Sequence, residues 1–308
     1  MTDVVVAFVD VGQGDCVVAV DRCSGDALLV DCPEGRHEQA LAALHEHGAH
    51  RLQAAFITHQ HLDHLGGVYS TVTSFPTSCV RLNPVSHVPA DPDERKKLRA
   101  ALRALHGLLR QNISLVVGVN SGDEGSVGIV QWQVLAPDGS QLLLSQADSK
   151  PNHASVVMRL SIGQYRVLLG SDADPDSWMG IIERNRDLKA DVFQLPHHGA
   201  DMTNTSNHLS LSDLLDTVQA SYHVISVGSH NSYGHPSAST LAEIRARRNR
   251  AQTLCTQLNA VCAARTPGIN VRCAGTIAFA FSEQGLVTST SVSAHAVAIR
   301  RLPTPQCV

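Results

Sequence analysis

The chain predicts an α/β fold of four layers, αββα, in which two sheets pack face to face and helices cover both outer surfaces. Three observations predict it. Short apolar runs alternate with amphipathic stretches along the chain. The strand-then-helix series occurs in both halves with no linker or break in composition, so the 308 residues read as one domain with a peripheral tail after about 285. Side chains able to bind metal gather where predicted strands end, which is where a rigid scaffold carries its chemistry.

Val4–Val11 reads as a buried strand, Gly12–Asp15 as a turn, and Cys16–Val20 and Ala27–Asp31 as the next two strands. An amphipathic helix spans Glu38–His47, with Gly48 suited to end it. Strand Leu52–Ile57 leads into a histidine-rich loop, and a short helix starts near Gly66. Asp91, Pro92 and Glu94 make a helix opening, with Asp91 as N-cap. That helix runs to about Gln111, with an apolar stripe of Leu98, Leu102, Leu105 and Leu109 opposite Arg95, Arg99, Arg103 and Arg110. In the second half, Ile113–Val119, Val130–Leu135, Ser155–Leu160 and Tyr165–Gly170 read as strands. Helix Asp176–Arg186, strand Asp191–Leu195 and helix Leu209–Val218 come next. Strand Val224–Val227, helix Ser237–Arg248 and strand Gly275–Phe281 complete the series, before a Ser/Thr/Ala-rich tail with room for one more strand.

Composition narrows the function. With 43% hydrophobic and 17% charged residues the chain is an ordinary globular one, and a net charge of −4 argues against indiscriminate coating of nucleic acid. The eight cysteines form no CxxC pair and several sit in apolar runs, which fits small hydrophobes in a reducing compartment better than a disulfide frame. The N-terminus lacks a basic region before its apolar run, and no uncharged stretch approaches the roughly 20 residues of a membrane span. A soluble, cytoplasmic protein is expected.

The chemistry lies in Thr58–Gly67, where His59, His61, Asp63 and His64 fall within six positions. A histidine-rich exposed turn would not need three imidazoles and a carboxylate there. Alternate residues at a strand end point the same way, so His59 and His61 can share one ion while Asp63 and His64, beyond the bend, face another. Further donors flank other strands: Asp172 after Val167–Leu169, His197 and His198 after Val192 and Phe193, and Asn152 and His153 before Val156–Met158. All are nitrogen or oxygen donors, which suits Zn²⁺ or Mn²⁺ and disfavours copper(I) and iron–sulfur centres.

In order along the chain stand Phe8–Asp15 (reading FVDVGQGD), Thr58–Gly67, Leu169–Asp172, Leu195–Gly199 and Ser226–Gly228 with Tyr233–Pro236. This set, spanning residues 4 to 240, resembles the metallo-β-lactamase superfamily, and within it the hydrolase domain of the ComEC DNA-uptake channel and its stand-alone relatives. With no channel segment, the chain resembles the soluble catalytic part alone. The resemblance implies a four-layer metallo-β-lactamase sandwich with two divalent ions, Mn or Zn, Mn being the tilt of that branch. It places His59 and His61 on the first ion, Asp63, His64 and His197 on the second, Asp172 between them, and Asp31 behind a ligating histidine. Where the branch has Asn-Asn-x-Ser, this chain has Asn152-His153-Ala154-Ser155, so His153 either completes the first site or only contacts substrate.

Two cations a few ångströms apart acidify a shared water and neutralise developing oxyanions, and a phosphodiester gains most from both effects. The expected activity is therefore a phosphodiesterase or nuclease acting on DNA. Asp63 would orient the hydroxide and His235 would protonate the leaving group. Gln13, Asp15, Asn152 and His198 would contact substrate or support the ligands. The same core would serve a cyclic nucleotide, a lactone or another ester, and a metal-bound interaction subunit is a third reading. The arginine faces of residues 91–111 and 245–250 offer a nucleic-acid track, although such faces are usually only solvated. Nucleic acid or another phosphodiester is the expected substrate, with no membrane. Stand-alone relatives of this kind make plausible members of multi-gene systems, including defence against foreign DNA, with partner proteins from the same operon.

Overall fold

The computed structural model describes residues 4–85, 87–202, 209–229, 231–259, 273–282 and 285–288. Their strands are β1 (Val4–Phe8), β2 (Val17–Asp21), β3 (Asp26–Val30), β4 (Arg51–Ile57), β5 (Cys79–Leu82), β6 (Ser114–Val117), β7 (Glu124–Val127) and β8 (Val130–Ala136). The series continues with β9 (Val157–Ile162), β10 (Tyr165–Leu169), β11 (Val192–Gln194), β12 (Tyr222–Ile225), β13 (Gln252–Cys255), β14 (Ile277–Ser282) and β15 (Gly285–Thr288). The helices are α1 (His37–Glu46), α2 (Leu62–Leu65), α3 (Val68–Ser74), α4 (Pro92–His106), α5 (Gly139–Asp148), α6 (Pro175–Arg184), α7 (Leu211–Val218) and α8 (Ala238–Ala246).

Alternation along each strand sets the layers. In β1, Val4, Val6 and Phe8 point into one apolar cluster with Trp132, Met158 and Phe279, while Val5 and Ala7 point into another with Leu44, Leu98 and Leu105. In the second sheet, Val167, Leu169 and Val192 share the first of these clusters. Leu168 and Phe193 face Trp178, Ile181, Leu214 and Leu241 of α6, α7 and α8. The core between the sheets is thus lined by every second residue of both, and each outer face is sealed by helices. Strands buried on both faces must be apolar at consecutive positions, which is why β1 reads VVVAF.

One sheet has eight strands in the order β15-β14-β1-β2-β3-β4-β5-β6, and the other seven in the order β13-β12-β11-β10-β9-β8-β7. Strands β3 to β6 run parallel, as do β10 to β13. The carboxyl ends of β3, β4, β10, β11 and β12 carry the loops bearing Asp31, the His59–His64 cluster, Asp172, the His197–His198 pair and His235. Open α/β sheets bind ligands outside such ends.

The structure adds β5, β7, α5 and β13 to the sequence reading. The three strands are four residues each, too short to show a period. Helix α5 had a readable signal in its capping box, with Asp138 accepting from the Gln141 amide at 2.9 Å and Gln141 Oε1 accepting from the Asp138 amide at 2.7 Å. One stripe residue is corrected. The helix tightens to 3-10 geometry over Gly107–Gln111, so the position three after Leu105 faces inward. Leu108 is buried there and Leu109 is 61% exposed. The tail contributes β15, while residues 289–308, Cys307 among them, lie outside the described residues, as does Cys262. Cys16, Cys32 and Cys79 are free thiols. Among the described residues no helix is long and apolar enough to cross a membrane.

Candidate metal centre

Asp31 comes directly after β3 with a left-handed backbone (φ 60°) and is fully buried. It accepts hydrogen bonds from the Thr58 amide (2.8 Å) and the Thr58 hydroxyl (2.6 Å), so the ends of β3 and β4 are tied together at the site. Its Oδ2 also lies 2.8 Å from His64 Nδ1, which therefore carries the proton and leaves Nε2 facing the cleft.

Beyond β4 the chain turns into α2, which holds Asp63 and His64. The Cys32 and Glu34 amides donate to the carbonyls of His64 (2.6 Å) and Leu62 (3.0 Å), and the Gly67 amide donates to the Cys32 carbonyl (2.8 Å). Gly67 has to be glycine, because a Cβ there would stand 2.3 Å from the Pro33 carbonyl oxygen. The predicted turn Gly12–Asp15 packs on the same loop. The Asp15 amide donates to the Asp63 carbonyl at 3.2 Å, and a Cβ on Gly14 (φ 113°) would lie 2.2 Å from that oxygen.

Asp172 comes in from the end of β10. Its Oδ1 lies 3.5 Å from His64 Nε2 and 3.5 Å from His198 Nε2, and its Oδ2 lies 3.6 Å from His59 Nε2. His198 Nε2 stands 3.9 Å from Asp63 Oδ2, while its Nδ1 donates to the Ser226 carbonyl (2.9 Å) at the end of β12. His61 Nδ1 is 2.9 Å from His59 Nε2. Donor atoms of His59, His64 and Asp172, and separately of Asp63, His64 and His198, lie within 4.8 Å of one another.

The two histidines after β11 exchange their expected places. The side chain of His198 is 2% exposed and joins Asp63 and His64, whereas that of His197 is 40% exposed and reaches Asp172 Oδ2 only at 3.7 Å. Consecutive left-handed residues, at φ 52° and 54°, turn the two rings to different sides, an outcome that strand alternation could not foresee. His153 joins none of these groupings, since its Nδ1 faces Asp174 Oδ2 at 3.4 Å. Neighbouring Asn152 keeps a buried, unpartnered Oδ1.

The charges respond to this crowding. Burial lowers the His59 pKa far below its ordinary value and that of His61 to about 4, with neighbouring imidazoles adding to the effect. Burial acts against a charged His64 too, but Asp172 and Asp31 outweigh it and hold that pKa well above the ordinary value; Asp172 and Asp15 likewise outweigh burial and raise the pKa of His198. Asp172 stays far below the carboxylate range despite burial, held by His64 and His198. Burial lifts Asp15 to about 6, partly offset by His198. His235 is pushed to about 4 by burial and the adjacent His197 and His198, so it is a neutral imidazole at pH 7. It lines the cleft as expected, but protonating a leaving group requires the negative charge of a bound substrate to restore its proton.

Whether a cation suits these residues can be judged from their unused atoms. His64 Nε2, His198 Nε2 and Asp172 Oδ1 are buried without a hydrogen-bond partner. They face one another across the cleft, and a divalent ion that displaced the imidazole protons would satisfy all three. The donor set fits. The cleft above it, about 350 Å³, is lined by Gln13, His61, Asp63, His197, Tyr233 and His235 among others. Glu94 from α4 and Tyr233, 68% exposed with its ring stacked on His235, are wall residues that sequence reasoning passed over. Tyr233 lay inside a quoted motif, while nothing in the pattern marked Glu94.

The fold is that of the metallo-β-lactamases. The CmlA β-hydroxylase E377D mutant superimposes with a TM-score of 0.51 at 16% identity, covering 83% of this chain and 52% of that one. Zn²⁺-bound PqqB from Methylobacterium extorquens gives 0.50 at 11% identity, covering 81% and 97%. In sequence, the uncharacterized protein YcaI of Escherichia coli K12 is 27% identical over 239 residues, which is 75% of this chain and 26% of YcaI. The chain thus spans about a quarter of that curated relative. No family model matches it. A hydroxylase shares the fold, so the reaction has to be argued from the site.

Proposed function

We propose that this chain is a hydrolase dependent on two divalent metal ions, of the ComEC-like stand-alone branch, which cleaves phosphodiester bonds in DNA. The observation that supports it most is the convergence of buried, unpartnered donors from separate loops beneath an open cleft. His59, His61 and Asp172 would hold one ion, and Asp63, His64, His198 and Asp172 the other. When bound, such ions supply an acidified water and neutralise the charge that develops on phosphoryl oxygens. Asp31 fixes the tautomer of His64, and Ser226 fixes that of His198. Gln13, whose buried Nε2 has no partner and whose Oε1 accepts from the Gly228 amide at 3.3 Å, is placed to donate to a phosphoryl oxygen. His235, neutral until an anion binds, would move a proton to the leaving oxygen.

A second reading has its own support. Among the described residues no lysine or arginine lines the cleft, and its volume suits a small phosphodiester such as a cyclic nucleotide. One assay separates the two. Protein stripped with EDTA is reloaded with Mn²⁺ or Zn²⁺ and given labelled single- and double-stranded DNA, a cyclic dinucleotide and bis(p-nitrophenyl) phosphate, with His61→Ala as the blank. Metal-dependent cleavage of DNA is expected. Turnover of the small diesters with DNA left intact would establish the second reading, and no turnover of any of them would defeat both.

A further inference from the structure

Asp15 is 4% exposed, and its Oδ1 has no hydrogen-bond partner. That oxygen lies 3.6 Å from His198 Nδ1, but the nitrogen is already committed to the Ser226 carbonyl. Among the described residues no lysine or arginine pairs with it. A buried carboxylate without donors is costly to keep in a folded protein. Its position is nonetheless fixed, because the Asp15 amide is tied to the Asp63 carbonyl and Gly14 leaves no gap between turn and loop. One oxygen of Asp15 and donor atoms of Asp172 and His198 lie within 4.8 Å of one another, and the same holds for Asp15, Asp31 and His64. Donors on a single ion, with bonds of about 2.0–2.3 Å, stand no more than about 4.5 Å apart. The grouping is therefore close to the span one ion would draw together.

The geometry points to Asp15 as an additional oxygen ligand of the cation held by Asp63, His64, His198 and Asp172. This rests on the two-metal reading above and deepens it by giving that position a metal preference. Three carboxylates and two imidazoles exceed the four ligands that Zn²⁺ favours and suit a harder, higher-coordinate ion such as Mn²⁺.

The test reads metal binding and not turnover. Mn²⁺ and Zn²⁺ are titrated calorimetrically into metal-free wild type and Asp15→Asn, and wild-type crystals soaked in Mn²⁺ are examined by anomalous diffraction. In Asp15→Asn, Mn²⁺ affinity at one of two sites should fall about 10- to 100-fold, with a clearly smaller loss for Zn²⁺. In the soaked crystals an Asp15 oxygen should stand within bonding distance of one ion. Equal losses for both ions, or none, overturn the assignment. So does a soaked crystal with two ions and neither touching Asp15, a result that holds even if the variant misfolds. Wild type that takes up no divalent ion overturns the two-metal reading itself, which separates the two failures.

Discussion

Replacing Asp31 tests how the site is built. Its carboxylate is fully buried and accepts three hydrogen bonds, two from Thr58 and one from His64 Nδ1. Asn is isosteric and tolerates the left-handed backbone that Asp31 adopts, so Asp31→Asn adds little strain. Its amide oxygen can keep the Thr58 amide bond. Its NH₂ group must then face His64 Nδ1, which turns the ring into the other tautomer and puts a proton on Nε2. A protonated Nε2 cannot ligate. Losing such an outer partner costs about 10- to 100-fold in metal affinity, or about 1.4–2.8 kcal/mol. Asp31→Ala differs. It strands three buried groups at about 1–3 kcal/mol each and adds about 1–2 kcal/mol for alanine at positive φ, enough to threaten folding. Calorimetric titration with Mn²⁺ and thermal melts would check both. The Asn variant should stay folded and bind one ion weakly, while the Ala variant should melt far earlier. Wild-type affinity in Asp31→Asn would refute the tautomer argument.

Two further outcomes concern groups at the rim and away from the site. Tyr233→Ala should raise KM for single-stranded DNA by about 5- to 150-fold, the equivalent of about 1–3 kcal/mol of base stacking, and leave turnover of bis(p-nitrophenyl) phosphate near wild type; equal effects on both substrates would exclude a stacking role. His223, 2% exposed beneath α7, has its pKa lowered from 6.5 to about 4 by burial and then by Arg247. The unfolded chain takes up a proton there that the folded one refuses, so this stability is present above pH 6.5 and is lost as pH falls towards 4. The span of about 2.5 pH units is worth about 3 kcal/mol at most. Urea denaturation at pH 7 and 4.5 should show a smaller pH loss for His223→Gln than for wild type, and identical losses would contradict the assigned burial cost.

Much of the fold was legible because both faces of its central strands are buried, which forces continuous apolar runs such as Val4–Phe8 and Val167–Leu169. The strands that escaped, β5, β7 and β13, are four-residue strands, and two of them, β7 and β13, are sheet edges, where packing writes little into the sequence. The stripe of α4 was misplaced at Leu109 because a change from α to 3-10 winding depends on how the helix end docks. In the site, the tight spacing of His59, His61, Asp63 and His64 announced metal chemistry without any alignment of distant segments. Choosing between His197 and His198 was beyond it, since two left-handed residues in a row decide which ring turns inward.

The amino-acid order by itself determined the layered α/β architecture, the donor types and the strand ends that carry them, because periodicity and local spacing are properties of the chain alone. Only the tertiary structure decided which donors meet. It brought His198 and Asp15 to Asp63, His64 and Asp172 and turned His153 towards Asp174. Such meetings depend on how the ends of two sheets face each other across the core, and no local pattern encodes that distance.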